Sequence, residues 1–468
     1  MTPCAGALDI AAAVRGRRTT AADVARDTLT RIAALNSRYN AFTEVTAARA
    51  LREAAAVDEA IVAGRDAGPL AGVPFAVKNL FDVEGHVTLA GSRINAANEA
   101  AVSDATIVSR LCSAGAILVG MLNMDEYAYG FTTENTHYGA ARNPHALERI
   151  AGGSSGGCGA AVAGGLVPLS LGSDTNGSIR VPSALCGIFG LKPTYGRLSR
   201  AGSFPFVDNL DHVGPFARTV ADLAAAYDAM QGPDDRDPAC AARAIAPVSP
   251  QLRLGADGLR IGLLKGYFEQ NTDEETWEAF IAAARSLGAT REIVLPRVES
   301  ARAAAFIITG AEGGQLHLHN LRNRRNDFDP LVRDRLTAGA LIPGAWYLRA
   351  QRLRRWFSLR VREAFHEVDV LLAPATPRPA TEIGQETMRI RGREMLVRPN
   401  MGLLTQPLSF IGLPVVAAPL AVNTSMPIGM QIIAPAWRED LCLRVAAALE
   451  QRGLAYVRTP VIEEPAAT

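Results

Sequence analysis

The amino-acid sequence predicts an α/β fold in which a large mixed β-sheet is covered on both faces by helices. Segments with apolar residues at helical spacing alternate along the chain with short, continuous apolar runs, which are typical of buried strands. Between residues 255 and 297 the order is strand, helix, strand, and an Arg-rich helix at 345–368 leads into an apolar run at 368–374. Because neither an internal repeat nor a long linker divides the chain, we expect a single domain over residues 1–468.

The first two regions of this domain differ in their predicted structure. Residues 1–65 are interpreted as an N-terminal helical segment that packs on the core, with Thr20 placed to cap an Ala-rich helix. Residues 66–220 begin with a short apolar run that ends at Lys78, which predicts a buried strand opening into a loop. Within this region, Gly, Ser and Ala dominate at 151–200, and charged residues are few.

The third region, residues 221–468, is predicted to complete the sheet. It contains a stretch without any charged side chain at 399–437, which is long enough to cross a bilayer. Six prolines interrupt this stretch, so we expect several short buried strands in place of a membrane-spanning helix.

Composition and charge exclude some classes of partner. The hydrophobic fraction is 48%, the charged fraction is 20% and the net charge is +1, which is ordinary for a globular enzyme. A charge this close to zero provides no field that attracts nucleic acid or anionic membranes. The six cysteines are scattered, without zinc-site spacing, and Asp9 precedes any long apolar run. We therefore expect a cytoplasmic protein with reduced thiols and no signal peptide.

Two glycine-rich loops within 151–200 carry hydroxyl groups. The first, GGSSGG at 152–157, holds two serines in a backbone with little side-chain bulk. The second, DTNGS at 174–178, contains consecutive N–H groups that can converge on one oxygen, as an oxyanion hole requires. Loops of this composition are also common as plain turns, and composition alone does not separate the two interpretations.

A serine nucleophile needs a base, and the sequence offers two types. Gly152, Ser154 and Gly156 match the nucleophile elbow of α/β-hydrolases, but that arrangement needs a downstream histidine at a strand end. The downstream histidines do not occupy such positions: His212, His317, His319 and His366. The other candidate is Lys78, whose pKa burial would lower. From spacing alone, a surface lysine is the simpler interpretation.

The chain resembles the amidase signature family over essentially its whole length. The segment 151–200 matches the family pattern GGSSGG…GSDxGGSIRxPaxxCGxxGLKPTxGRxS nearly position by position. Three further blocks are similar to family blocks: GPLAGVPFAVKNLFDVEG at 68–85, NMDEYAYGFTTENTHYGAARNP at 123–144 and IGLPVVAAPLAVNTSMPIGMQIIAPAWRED at 411–440. The resemblance implies the amidase signature fold and hydrolysis of C–N bonds without a metal or an organic cofactor.

The resemblance also implies a role for each matched residue. Lys78 is the base, Ser154 is the proton relay that follows a cis peptide bond, and Ser178 is the nucleophile that forms an acyl-enzyme. Four backbone N–H groups form the oxyanion hole, those of Thr175, Asn176, Gly177 and Ser178. Two charged residues support the nucleophile loop, Asp174 and Arg180.

Two departures from the family pattern narrow the substrate. Asn176 stands where the family usually has glycine, and Gly402 aligns where glutaminase subunits carry the acid that receives the glutamine ammonium. Four segments look most like the 1-carboxybiuret hydrolases, known from s-triazine breakdown: DTNGS, DEYAYGFTTEN at 125–135, DFDPLVRDRL at 327–336 and PATPRPATEIGQET at 374–387. We therefore expect a small carboxylated urea or biuret as substrate, with release of ammonia. Two alternatives stay open, the glutaminase (A) subunit of a tRNA-dependent amidotransferase and a general small-amide amidase.

Substrate contacts and partners complete the expectations. By alignment with the glutaminase subunits, Arg335 is the first candidate for binding the substrate carboxylate and Arg333 is the second, and Tyr127 is a further candidate for substrate binding. The alternative is that either arginine is a solvated helix charge. The resemblance also implies a small helical subunit like the C subunit of tRNA amidotransferases, and a homo-oligomer stays open. The Arg-rich helix at 348–365 is interpreted as a solvated face, not an RNA-binding one.

Overall fold

The computed structural model describes residues 5–422 and 424–460, which are built around an 11-stranded mixed β-sheet. In chain order the strands are β1 (Phe42–Val45), β2 (Pro74–Lys78), β3 (Ile117–Leu122), β4 (Glu134–Asn135), β5 (Gly139–Ala140), β6 (Arg142–Asn143), β7 (Ala146–Ile150), β8 (Leu169–Ser173), β9 (Phe189–Lys192), β10 (Val213–Ala217), β11 (Ile261–Leu264), β12 (Arg291–Ile293), β13 (Val370–Pro374), β14 (Thr387–Ile390), β15 (Arg393–Leu396), β16 (Val415–Pro419) and β17 (Gly429–Ile433).

The helices fill the connections between these strands. They are α1 (Ala7–Arg15), α2 (Ala21–Tyr39), α3 (Ala47–Val62), α4 (Thr106–Ser113), α5 (Gly156–Ala163), α6 (Arg180–Cys186), α7 (Val220–Met230), α8 (Tyr267–Gln270), α9 (Glu274–Ser286), α10 (Val298–Leu316), α11 (Leu318–Asn323), α12 (Pro330–Ala340), α13 (Gly344–Ala364), α14 (Val397–Asn400), α15 (Gln406–Ser409) and α16 (Glu439–Gln451).

The main sheet is parallel toward its ends and antiparallel in its middle. Its strand order is β1-β3-β2-β8-β10-β9-β16-β17-β13-β11-β12. Strands β3, β2 and β8 run parallel, the pairs from β8 to β13 are antiparallel, and β13, β11 and β12 run parallel again. Every residue of β2, β3, β8 and β10 is buried, although neighbouring side chains point to opposite faces. Both faces are therefore covered, as the sequence predicts.

The N-terminal region confirms one expectation and corrects another. The hydroxyl of Thr20 accepts a hydrogen bond from the N–H of Asp23 at 3.0 Å, so Thr20 caps α2 as predicted. Residues 1–65 were expected to be helical, but β1 lies within them and pairs with β3 at the edge of the sheet. The helix before it ends at Asn40 in the left-handed conformation, which turns the chain into this short strand.

The uncharged stretch at 399–437 contains two strands, β16 and β17, but its first part forms the short helix α15 and turns. The expectation of strands alone is therefore wrong for residues before 415. In the part of the chain that the structure describes, no helix is both long and apolar enough to cross a membrane.

Helices α10 and α12 approach closely beside the sheet. A Cβ atom on Gly339 would lie 2.0 Å from the carbonyl oxygen of Gly310, and one on Gly314 would lie 2.2 Å from the backbone nitrogen of Ala340. The two helices can make this backbone contact only because glycine lacks a side chain. The contact fixes the side chains of α10 relative to those of α12, including Thr309 and Arg335.

Candidate active site

Lys78 lies at the end of β2, and its side chain is fully buried. Its Nζ donates hydrogen bonds to Ser154 Oγ at 2.7 Å and to Ser173 Oγ at 2.9 Å. The apolar run before Lys78 carries the amine into the core, away from water. This burial lowers the pKa of Lys78 to about 8, so a substantial fraction of the amine is neutral near neutral pH. The interpretation as a surface lysine is therefore wrong, and the side chain can exchange a proton with Ser154.

Ser154 lies in the turn before α5. The first glycine-rich loop forms this turn and packs against the buried carboxylate of Asp125. The Gly153–Ser154 peptide bond is cis. A Cβ atom on Gly153 would lie 2.2 Å from Asp125 Oδ2, so this position has no room for a side chain. The loop therefore brings the Ser154 hydroxyl to the Lys78 amine, as the resemblance implies. Among the described residues, no hydrogen bond joins the hydroxyls of Ser154 and Ser178, so that step of the relay stays a prediction.

The nucleophile loop, residues 174–178, connects β8 to α6 and is anchored at its start by a buried ion pair. Arg180 Nε donates to Asp174 Oδ2 at 2.9 Å, and Arg180 Nη2 donates to Oδ1 at 2.9 Å. Burial by itself raises the pKa of Asp174, but the charge and hydrogen bonds of Arg180 outweigh it and hold this pKa below its usual range. Arg180 Nη1 also donates to Thr405 O and to Gln431 Oε1 at 2.7 Å. The supporting roles predicted for Asp174 and Arg180 agree with these contacts.

Two further contacts fix the middle of the nucleophile loop. Thr405 Oγ1 donates to the carbonyl of Asn176 at 2.7 Å, and Thr175 Oγ1 donates to Asp211 Oδ1 at 2.6 Å. Gly177 has a φ of 139°, and a Cβ atom there would lie 2.0 Å from Thr405 Oγ1. Glycine is therefore required at this position.

The backbone N–H groups of the predicted oxyanion hole are available. Within the described residues, the N–H groups of positions 175 to 178 donate no hydrogen bond to the protein. The preceding N–H, that of Asp174, donates to His212 O at 2.8 Å, and the following one, that of Ile179, donates to Asp174 Oδ2 at 3.2 Å. A run of unpaired donors between paired ones is what binding of an oxyanion requires.

These residues open onto a narrow cavity, which we call the nucleophile pocket. Its walls combine the loop that carries Ser178 with residues from the 128–131 turn, α10, α12 and α15. The lining residues are Ala128, Tyr129, Gly130, Phe131, Thr175, Asn176, Ser178, Phe206, Phe306, Arg335 and Gln406. A larger cavity of about 560 Å³ lies between α10 and α13 and contains none of the predicted catalytic residues.

Arg335 contributes a cation to the nucleophile pocket. Its guanidinium carbon lies 3.7 Å from the centre of the Tyr129 ring, and Nη1 donates to Tyr129 O at 3.2 Å. Burial lowers the pKa of Arg335. Among the described residues, no carboxylate forms an ion pair with it. A partly buried cation without a paired anion favours an anionic group in the pocket.

The other two predicted substrate contacts lie elsewhere. Arg333 points to the surface, where its Nε lies 2.9 Å from Asp334 Oδ1, so it is a solvated helix charge. Tyr127 is buried against the ring of His317, with 3.9 Å between ring centres, and its hydroxyl donates to Asn95 Oδ1 at 3.1 Å. Neither residue lines the nucleophile pocket. Tyr127 packs in the core because the backbone has positive φ at Tyr127 and Ala128, which turns the next tyrosine to the pocket.

The sequence analysis missed the aromatic walls of the pocket. Tyr129 and Phe131 both belong to the block that suggested Tyr127, but alternate spacing includes all three aromatic residues and does not tell which of them line the pocket. The Phe131 ring also lies over Gly402, where a Cβ atom would come within 2.3 Å of Phe131 Cζ. The Phe131 ring thus fills the space of a side chain at position 402, where glutaminases are expected to carry an acid. In the described part of the chain, no group of three or more His, Cys, Asp or Glu residues is arranged to bind a metal.

Comparison with known proteins places this site in a family. The family model described as Amidase matches residues 23–443. The chain is 55% identical over 453 residues to the AtzE subunit of 1-carboxybiuret hydrolase from Pseudomonas sp. (strain ADP), a match that covers 96% of this chain and 99% of that protein. It is 37% identical over 480 residues to the A subunit of glutamyl-tRNA(Gln) amidotransferase from Chromohalobacter salexigens, a match that covers 97% of each protein.

Solved structures agree with these sequence matches. The structure of a vestigial protein complex that reveals the evolutionary origins of an s-triazine catabolic enzyme has a TM-score of 0.96 and 54% identity, covering 97% of this chain and 100% of that chain. A crystal structure of an amidase has a TM-score of 0.86 and 32% identity, covering 96% and 100%. This chain therefore belongs to the amidase signature family of amide-hydrolysing enzymes, as its own β-sheet, its sequence motifs and these similarities show.

Proposed function

We propose that this chain hydrolyses a small carboxylated urea or biuret, such as 1-carboxybiuret, through a Ser178 acyl-enzyme and releases ammonia. The observation that carries the proposal is the content of the nucleophile pocket. Ser178 shares this narrow cavity with the partly buried guanidinium of Arg335, which has no carboxylate partner among the described residues. A small substrate with a carboxylate supplies the missing anion while its carbonyl carbon faces the serine.

The reaction begins with proton transfer along the hydroxyl relay. Neutral Lys78 accepts a proton from Ser154 as Ser154 accepts one from Ser178, and Ser178 Oγ then bonds to the substrate carbonyl carbon. The negative charge moves to the carbonyl oxygen, which the N–H groups of residues 175–178 stabilise by about 3 kcal/mol per donor. Ser154 gives its proton to the departing nitrogen and takes one back from protonated Lys78, so the C–N bond breaks, ammonia leaves and the relay returns to its starting state. Water, deprotonated by the same relay, then hydrolyses the acyl-enzyme.

The wall opposite the nucleophile favours this substrate over glutamine. Glutamine would carry an ammonium group into the pocket, and the resemblance places the acid that receives it at position 402. Here that position is glycine, and the Phe131 ring occupies the space of a side chain. An ammonium group facing the Phe131 ring and the cation of Arg335 would lose part of its hydration without gaining a paired anion. The named activity of the relative at 55% identity supports the same substrate class.

The test is a substrate panel assayed for ammonia release by the purified chain. Carboxylated biuret and urea derivatives, neutral primary amides and glutamine are compared by kcat/KM. We expect the carboxylated ureido compounds to be hydrolysed fastest. If glutamine is hydrolysed fastest, the chain is better interpreted as the A subunit of an amidotransferase. Equal kcat/KM values for substrates with and without a carboxylate would favour a general amidase.

We further propose a small helical partner subunit. The surface that supports it is the larger cavity between α10 and α13, because α13 carries six arginines and only one acidic residue. Arg297, Arg349 and Arg352 line this cavity, and Trp346 and Leu348 beside it are each 59% exposed. An exposed apolar surface bordered by cations is suited to binding an acidic amphipathic helix. We therefore propose that this surface binds a partner, whereas the sequence analysis interprets the Arg-rich helix as a solvated face. Full activity and stability of the chain purified alone would contradict an obligate partner.

A further inference from the structure

Asn176 has a carboxamide that is satisfied on one side only. Its side chain is buried, and it lines the nucleophile pocket two residues before Ser178. Its Nδ2 donates a hydrogen bond to Thr309 Oγ1 at 3.0 Å. Its Oδ1 is buried without a hydrogen-bond partner among the described residues. Buried acceptors in proteins are nearly always paired, so this oxygen is an unexplained polar atom at the site of reaction.

The carboxamide is held in place from two sides. Thr309 is buried on α10, the helix that the glycine contact fixes against α12. The backbone carbonyl of Asn176 accepts the hydroxyl hydrogen of Thr405 at 2.7 Å, which fixes the main chain of the same residue. With Nδ2 bonded to Thr309, no protein donor is left for Oδ1 among the described residues. The unpaired acceptor therefore follows from the contact with Thr309.

We infer that Asn176 Oδ1 accepts a hydrogen bond from a ureido N–H of the substrate and so selects urea-type compounds over plain amides. The inference rests on the proposed function and adds a specificity-determining residue to it. In a carboxylated urea or biuret, an N–H lies between the carboxylate and the carbonyl group that is cleaved. With the carboxylate at Arg335 and the carbonyl carbon at Ser178, that N–H lies in the pocket that Asn176 also lines. A plain amide acid has a methylene group there, which donates nothing.

The expected selectivity has a physical basis, because only one of the two substrate types gives Asn176 Oδ1 a hydrogen-bond donor. An N–H that enters the pocket loses water but gains the acceptor, and the acceptor gains its missing donor. A methylene group leaves the acceptor buried and unpaired. Pockets built around one hydrogen bond reject analogues that lack the matching group more strongly than apolar pockets reject a change of size.

The experiment compares two substrates of equal length in three forms of the enzyme. The substrates are 1-carboxybiuret and an ω-amide acid in which methylene groups replace the internal N–H groups, and the enzymes are wild type, Asn176→Ala and Thr309→Val. We expect Asn176→Ala to lower the ratio of the two kcat/KM values by about tenfold or more, because only the ureido substrate loses a hydrogen bond. Thr309→Val, which removes the partner of Nδ2 and keeps the side-chain volume, should lower the same ratio by a smaller factor.

A role of Asn176 in loop structure alone would give a different result. Equal losses on both substrates in Asn176→Ala would overturn the inference. If that variant is too slow to assay, calorimetry in the Ser178→Ala background gives a second measurement. Removing the carboxamide there should weaken binding of 1-carboxybiuret and not that of the amide acid, and equal weakening again overturns the inference. Failure of the wild type to hydrolyse 1-carboxybiuret would instead refute the proposed function, and the inference with it.

Discussion

Replacing Arg335 by alanine tests the proposed function most directly, and the chain supplies its own control two residues away. Arg335 lines the nucleophile pocket without a carboxylate partner among the described residues, whereas Arg333 lies outside the pocket and is paired with the exposed Asp334. Truncating one partner of a buried charge pair costs about 2–4 kcal/mol of binding, because the other charge is left without compensation. At about 1.4 kcal/mol per factor of ten, this corresponds to a loss of roughly 30- to 700-fold in kcat/KM for an anionic substrate.

The assay is ammonia release from 1-carboxybiuret and from a neutral amide of similar size, each measured with wild type, Arg335→Ala and Arg333→Ala. We expect the large loss only for the anionic substrate in Arg335→Ala, with KM rising more than kcat falls. Arg333→Ala should stay close to wild type on both substrates, because exposed ion pairs contribute little. Comparable losses for the two variants, or for the two substrates in Arg335→Ala, would refute the assignment of the carboxylate to Arg335.

Three further predictions concern the relay and the pocket wall. Ser178→Ala should abolish turnover and Lys78→Ala should reduce kcat by several orders of magnitude, so near-normal kcat/KM in the lysine variant would refute its role as base. Because burial lowers the pKa of Lys78 to about 8 and the neutral amine is the active form, a plot of kcat/KM against pH should rise with pH and level off above this value; a flat profile from pH 6 to 9 would contradict this. Gly402→Asp should lower the free energy of unfolding by about 1–3 kcal/mol, because its side chain meets the Phe131 ring. Denaturant unfolding measures this loss, which should be smaller when Gly402→Asp is introduced into a Phe131→Ala background, and an unchanged midpoint in the single variant would show that the ring moves freely.

The sequence predicts the centre of this site better than its walls. The apolar run before Lys78 and the small residues around Ser154 are local signals, and the structure places the amine of one against the hydroxyl of the other. The tyrosine of the pocket depends on backbone geometry that no local pattern reveals. Two consecutive residues with positive φ place Tyr127 in the core and Tyr129 at the pocket.

Long-range contacts explain the remaining differences. The sequence shows that position 402 is glycine and not an acidic residue. The ring that fills the space beside it belongs to Phe131, which is far away in the chain. Strand β1 was missed because it is short and lies at the sheet edge, where pairing with β3 determines its conformation more than its own composition does. The unpaired oxygen of Asn176 likewise depends on Thr309, which only the fold brings to it.

The contacts that hold the nucleophile loop also determine when the enzyme can become active during its synthesis. Thr405, which holds the carbonyl of Asn176, lies 229 residues after it, and Gln431, which holds Arg180, lies 251 residues after that arginine. A ribosome therefore completes the loop long before it makes the residues that fix it. A nascent chain that ends before these residues has Ser178 in a loop that these contacts do not yet hold. Amide hydrolysis should thus begin only after β16 and β17 have joined the sheet, so that partly synthesised chains do not cleave amides in the cell.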